Sequence, residues 1–217
     1  RLTNLTVQNG NADADGGAIR AINGSVFADN VVFIDNQSTG GDGGAISVSS
    51  GVLTVVESHF ENNVSVDDGG AVAILTGEFN DQNSVYLNNS GVRGGAVLLD
   101  ATSAVVSDSH FESNSADDQG GALAISSGDL LNVSRSTFWL NSAVLGGGGV
   151  SIVNHQSSES IFRNNLLQDN LSNGPGAGLS ITGFASELLV ANNSFAANLS
   201  SDQGAGVYAA ATDASNL

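Results

Sequence analysis

The sequence contains no cysteine, no methionine and no lysine, and one proline and one tryptophan among 217 residues. Without cysteine there are no disulfide staples, thiolate metal sites or cysteine nucleophiles. Without lysine, five arginines stand against 22 acidic residues and the net charge is −17. Such a surface repels nucleic-acid phosphates and anionic lipid headgroups, and it suits cations and salty water. No apolar run reaches the ~18 residues needed to span a bilayer as a helix. Long helix-favouring stretches of Leu, Glu, Lys and Arg are also missing. Gly, Asn, Ser and Ala are abundant and hydrophobic residues reach 41%, the composition of an all-β chain with many tight turns and a sizeable core. The chain opens on Arg1 and stops at Leu217 in mid-pattern, so residues 1–217 read as one domain, a segment of a longer surface protein.

What is present is a repeat. Glycine signals recur as "GGAI" at 16 and 43, "GGAV" at 69 and 94, "GGAL" at 120, "GGGV" at 147, "GAGL" at 176 and "GAGV" at 204, spaced by 25 to 29 residues. About nine residues before all but the first stands Phe33, Phe60, Tyr86, Phe111, Phe138, Leu167 or Phe195, and three residues after each comes Asn36, Asn63, Asn89, Asn114, Asn141, Asn170 or Asn198. Apolar residues alternate after the glycines (Val72 and Ile74, Leu123 and Ile125) and before the aromatic (Leu53 and Val55, Leu131 and Val133), which is the period of a half-buried strand. Each cycle therefore holds three short strands and three turns. One such cycle cannot bury its own apolar face, whereas cycles stacked as parallel strands bury a continuous interior. The expected fold is all-β, a single parallel β-helix of about eight coils, with the seven asparagines forming an inward ladder.

The paired GGA[IVL] and F-x-x-N signals resemble the repeats of chlamydial polymorphic outer-membrane proteins and related bacterial surface proteins of the pectin-lyase-like type. The resemblance covers almost the whole chain. It implies a right-handed β-helix at the cell surface or outside the cell, used as a scaffold that adhesins, spacers, filament components and enzymes share.

The residues bearing on chemistry are few. Asp15, Asp42 and Asp68 occupy the column before the glycines, with Asp67 beside them, and stacking brings like charges to one coil spacing. Calcium suits such oxygen-rich turns, so these four aspartates are the candidate ligands; a solvated acidic edge, with Arg93 screening Asp68, is the plainer alternative. His59 and His110 fall two cycles apart, roughly 10 Å, too far to share a metal ion. His155 lies in the loop "NHQSSES" with no ligand partner in sequence. "GGGG" at 146–149 lacks the Lys-Ser/Thr of a phosphate loop.

Polysaccharide-active β-helices set the alternative reading. Resemblance to polygalacturonases would require an Arg-x-Lys element, which a chain without lysine cannot contain, and the arginines fall in different columns. The remaining surface candidates are the outward column Arg20, Ser47, Ala73, Leu98, Ala124, Ser151, Ser180 and Tyr208, and the outward-pointing Trp139. Leu98, Tyr208 and Trp139 are the possible contacts with a protein or glycan. Nine Asn-x-Ser/Thr sequons occur, and those at Asn36, Asn63, Asn170 and Asn198 belong to the inward ladder, shielded from glycosylation. The leading expectation is a non-catalytic extracellular scaffold whose partners are flanking coils, other chains or a host surface protein or glycan. No catalytic residue and no certain cofactor is assigned. The polar starts and ends "RLTNLTVQNG" and "ATDASNL" lack the look of caps, so stacking on further coils is expected.

Overall fold

The computed structural model describes residues 1–100, 102–126, 130–154, 159–183 and 187–211. They form a parallel β-solenoid with eight rungs in two of its sheets, which closes about seven full turns. No helix occurs among the described residues, and none is long and apolar enough to cross a membrane.

A regular coil carries four strands, one more than the sequence pattern suggests. In the third coil they are Gly51–Val56, His59–Glu61, Val64–Ser65 and Val72–Ile74. The extra one is the two-residue strand just after the ladder asparagine, too short for any periodicity to reveal. In the second coil the two strands before the asparagine run together as Val26–Ile34, and this fusion joins their successors into one 14-stranded sheet.

Two bends per coil put non-glycine residues in the left-handed region. One column runs Asp35, Asn62, Asn88, Ser113, Leu140, Asp169 and Ala197, with φ between 48° and 57°; the other runs Asn30, Glu57, Asn83, Asp108, Arg135, Asn164 and Asn192 in the same range. Asn and Asp dominate because their short polar side chains tolerate this conformation best among residues with a Cβ. Each column stands one residue ahead of an inward residue, polar in every coil but that of Val31, so the bend turns that side chain into the interior.

The interior is columnar. Phe33, Phe60, Tyr86, Phe111 and Phe138 are all fully buried and stack with ring centroids 4.6 to 4.9 Å apart. Burying each contributes about 2–3 kcal/mol. Where Leu167 breaks the column, Phe162 of the same coil packs on Phe138 at 6.3 Å. Phe162 stands in the strand column occupied by Val133 one rung earlier, so an aromatic lost from one column is supplied from the next.

The glycine pairs act as corners. Gly69 has φ +64°, and a Cβ on Gly70 would collide with the Gly95 carbonyl oxygen one coil on. The stretch "DDGG" at 67–70 is thus a turn delivering the chain into the strand Val72–Ile74.

Candidate functional site

The seven predicted ladder asparagines form one uninterrupted column. Asn36, Asn63, Asn89, Asn114, Asn141 and Asn170 are at most 1% exposed, and Asn198 is half-buried. Asn63 shows the pattern: its Nδ2 donates to the Phe33 carbonyl at 3.0 Å and to Asn89 Oδ1 at 3.0 Å. Its Oδ1 accepts from both the backbone N–H and Nδ2 of Asn36. Every donor and acceptor of the buried amide is used, which removes a penalty of ~1–3 kcal/mol per unpaired group. The serine of a ladder sequon is also spent inside: Ser38 Oγ donates to the Gly41 carbonyl and Ser65 Oγ to the same oxygen, both at 2.7 Å.

A second ladder escaped the sequence reading. Two residues before each aromatic stand Ser58, Ser84, Ser109, Ser136, Asn165 and Asn193. The Ser58 N–H donates to Ser84 Oγ (3.3 Å), Ser84 N–H to Ser109 Oγ (3.1 Å) and Ser109 N–H to Ser136 Oγ (3.2 Å). The column passes to amides at Asn165 and Asn193. The signal was a fixed offset from the aromatic, obscured because serine is common throughout the chain and the column begins with Val31.

The acidic column is built differently. Asp15 Oδ1 accepts the Asp42 N–H at 3.2 Å, Asp42 Oδ1 accepts the Asp68 N–H at 3.0 Å, and Asp68 Oδ1 accepts the Arg93 N–H at 2.9 Å. Arg93 also grips Asp68 through its side chain, Nε lying 3.1 Å from Oδ2, and Arg20 pairs with Asp15 at 3.1 Å. Asp42, between them, has no arginine. Burial first, then the charges of Asp68, Asp67 and Asp15, raises its carboxyl above the ordinary carboxylate range, against the lowering effect of the Asp68 N–H. Of the four candidate calcium ligands, Asp42, Asp67 and Asp68 bring carboxylate oxygens within 4.8 Å of one another. Asp15 stands apart from that group, engaged with Arg20.

From Ser47 to Ser180 the outward column does not face solvent, whereas Arg20 at its start is exposed. Leu98 and Ala73 are fully buried and Ala124 is 3% exposed, forming a small apolar cluster of their own. Leu98 is therefore not a surface contact. The pre-glycine turns fold over the outer face of this sheet: Gln119 Oε1 meets Ser151 Oγ at 3.1 Å, and the Gly69 corner lies against Ala73. Tyr208 is half-buried. Trp139 does lie on the outer face but is half-buried, its indole N–H donating to Asp169 Oδ2 at 3.2 Å.

His59 and His110 sit on the outer face of the aromatic strands, each bonded within its own strand, to Glu61 at 3.0 Å and Glu112 at 2.9 Å. They share no ligand. His155 and the tail 212–217 lie outside the described residues.

The fold and these columns define a repeat-built β-solenoid whose polar interior is consumed by coil-to-coil hydrogen bonds. Residues 30–49, which hold one F-x-x-N and one GGAI signal, match the family model of the Chlamydia polymorphic membrane protein repeat. No curated protein and no solved structure matches the chain.

Proposed function

We propose that the chain is a non-catalytic β-helical scaffold of a bacterial surface protein, working as an adhesin passenger, spacer or filament component. The observation that carries this reading is the match of residues 30–49 to a surface-protein repeat together with the extension of that repeat's features along the chain. The asparagine ladder and the aromatic stack keep their register from coil to coil. A scaffold needs this uniformity. A catalytic centre needs a local break in which polar groups converge on a cleft rather than on the neighbouring coil. Contacts with other chains, flanking coils or a cell-surface protein or glycan would then be made by the outer faces, where Trp139 and the His-Glu pairs lie.

Two measurements test it together. Antibodies raised against the chain should label intact source cells, and protease added outside should remove the label. The purified protein should leave a panel of acidic polysaccharides undegraded, with no new reducing ends or unsaturated products. Depolymerisation of any of them would replace the scaffold by the polysaccharide-active alternative; protection inside intact cells would overturn the surface assignment.

A further inference from the structure

One coil departs from the rule that strand positions facing the core are apolar. Asp81, in the strand Gly77–Gln82, is in register with Val55 on one side and Val106 on the other, and it is 2% exposed. In the same coil Tyr86 replaces the phenylalanine of the aromatic stack, and its hydroxyl donates to Asp81 Oδ1 at 3.1 Å. Asp81 Oδ2 accepts no hydrogen bond. Ser84 and Ser109 of the second ladder flank the carboxyl, yet their hydroxyl protons go to the Gln82 and Ser107 carbonyls. Each serine oxygen keeps acceptor capacity. The surroundings thus offer an acceptor to a carboxylic acid, whereas a serine donates to a carboxylate only by turning away from its carbonyl partner.

No charge compensates an ionised Asp81. The adjoining strands turn Leu53 and Val55, and Ala104 and Val106, toward the core, and the preceding strand contributes Val72 and Ile74. Glu57, Glu78 and Asp108, on or next to these strands, are exposed, and Asp100 follows Leu99 on the outward alternation. Among the described residues, Tyr86 is the one titratable group that faces Asp81.

We infer that Asp81 is held in the folded solenoid as a neutral carboxylic acid beside the serine ladder, accepting from Tyr86, and that its ionisation loosens this coil. The pair is a pH-responsive joint in an otherwise uniform rod: tight in mildly acidic surroundings, weakened at neutral pH. Burial, opposed by the neighbouring hydroxyls, pushes the Asp81 carboxyl up to about 6. A carboxyl whose folded pKa is raised holds more protons in the folded chain than in the unfolded chain. Its contribution is therefore full below the ordinary carboxylate value of about 3.9 and is lost as pH rises through about 6.

The test combines a direct titration with a difference measurement. Carboxyl 13C shifts of the wild-type chain should show Asp81 titrating near 6, with backbone amide exchange across residues 77–91 accelerating above that pH after correction for intrinsic rates. The wild-type Tm should fall more steeply than that of Asp81→Asn between about pH 4.5 and about pH 7.5. Asp81→Val combined with Tyr86→Phe, which restores the residues of the neighbouring coils, should remove the extra slope and raise Tm at neutral pH. Asp81 titrating near 4, or parallel pH profiles for the wild type and either variant, would overturn the inference. The wild-type titration decides it even if a variant does not fold.

Discussion

The asparagine ladder and the aspartate column use one device, a side-chain oxygen accepting a backbone N–H from the adjacent coil, and they fare differently. The amide version runs through seven rungs from Asn36 to Asn198. The carboxylate version stops after Asp15, Asp42 and Asp68, with Arg20 at one end and Arg93 at the other. An amide both donates and accepts, so each rung satisfies the next without accumulating charge. A carboxylate only accepts, and every added rung adds repulsion at one coil spacing. Neutral ladders can therefore extend with the helix, whereas charged ones need cations to finish them.

The largest effect should come from breaking the amide column. Asn89→Leu strips an acceptor from the N–H and Nδ2 of Asn63 and a donor from the Phe60 carbonyl and Asn114 Oδ1. Denaturant unfolding should show a loss of at least ~3 kcal/mol. Ser84→Ala in the second ladder removes the acceptor of the Ser58 N–H and the donor to the Gln82 carbonyl, and should cost about 1–2 kcal/mol. Equal losses for the two would remove the distinction between an amide rung bonded to both neighbouring coils and a hydroxyl rung with one bond across coils.

The charged column should respond with both signs. Arg93→Met leaves Asp68, 7% exposed, without its counterion and should cost about 3 kcal/mol, largely recovered in the double variant with Asp68→Asn. Asp42→Asn keeps an oxygen for the Asp68 N–H while removing the uncompensated charge, so it should raise Tm at neutral pH. That gain should shrink as pH falls, because the raised folded pKa of Asp42 means its penalty develops as pH rises out of the acid range. Molar sodium chloride should narrow the same gap by screening. A rise in Tm with millimolar calcium that sodium does not reproduce, lost in Asp67→Asn, would make Asp42, Asp67 and Asp68 a calcium site rather than an acidic edge.

The smallest expected effect lies in the bends. Leu140 is left-handed at φ 57° and 45% exposed, in a column where Asn62 and Asn88 stand in other coils. Leu140→Asn should stabilise by about 0.5–1 kcal/mol.

How much of this was legible follows from the kind of signal each feature leaves. The asparagine ladder was plain because a rare offset, three residues after an aromatic or once after Leu167, recurs in every cycle from Phe33 to Phe195. The serine ladder carries the same information at Ser58, Ser84 and Ser109, but in a residue type that also fills turns and surfaces. Leu98 was misplaced because strict alternation sends every second strand residue to solvent, whereas here the preceding turn folds back over the outer face. The small residues Ser47, Ala73, Ala124, Ser151 and Ser180 in that column were the trace of the cover. Asp81 was hidden by position: alternation puts it inside, but only the pairing with Tyr86 in the same coil shows why an acid is tolerated there. Arg93 beside Asp68 was legible because both fall in one column, one coil apart.

The most direct test of the contrast between the columns is residue-resolved amide hydrogen exchange at neutral pH. The N–H groups of Asn63, Asn89 and Asn114, each held by the next asparagine side chain, should exchange only with global unfolding and with similar protection. Those of Asp42 and Asp68, held by carboxylates in a repelling column, should exchange faster through local opening. Equal protection in the two columns, or ladder amides that exchange before the acidic turns, would contradict the account.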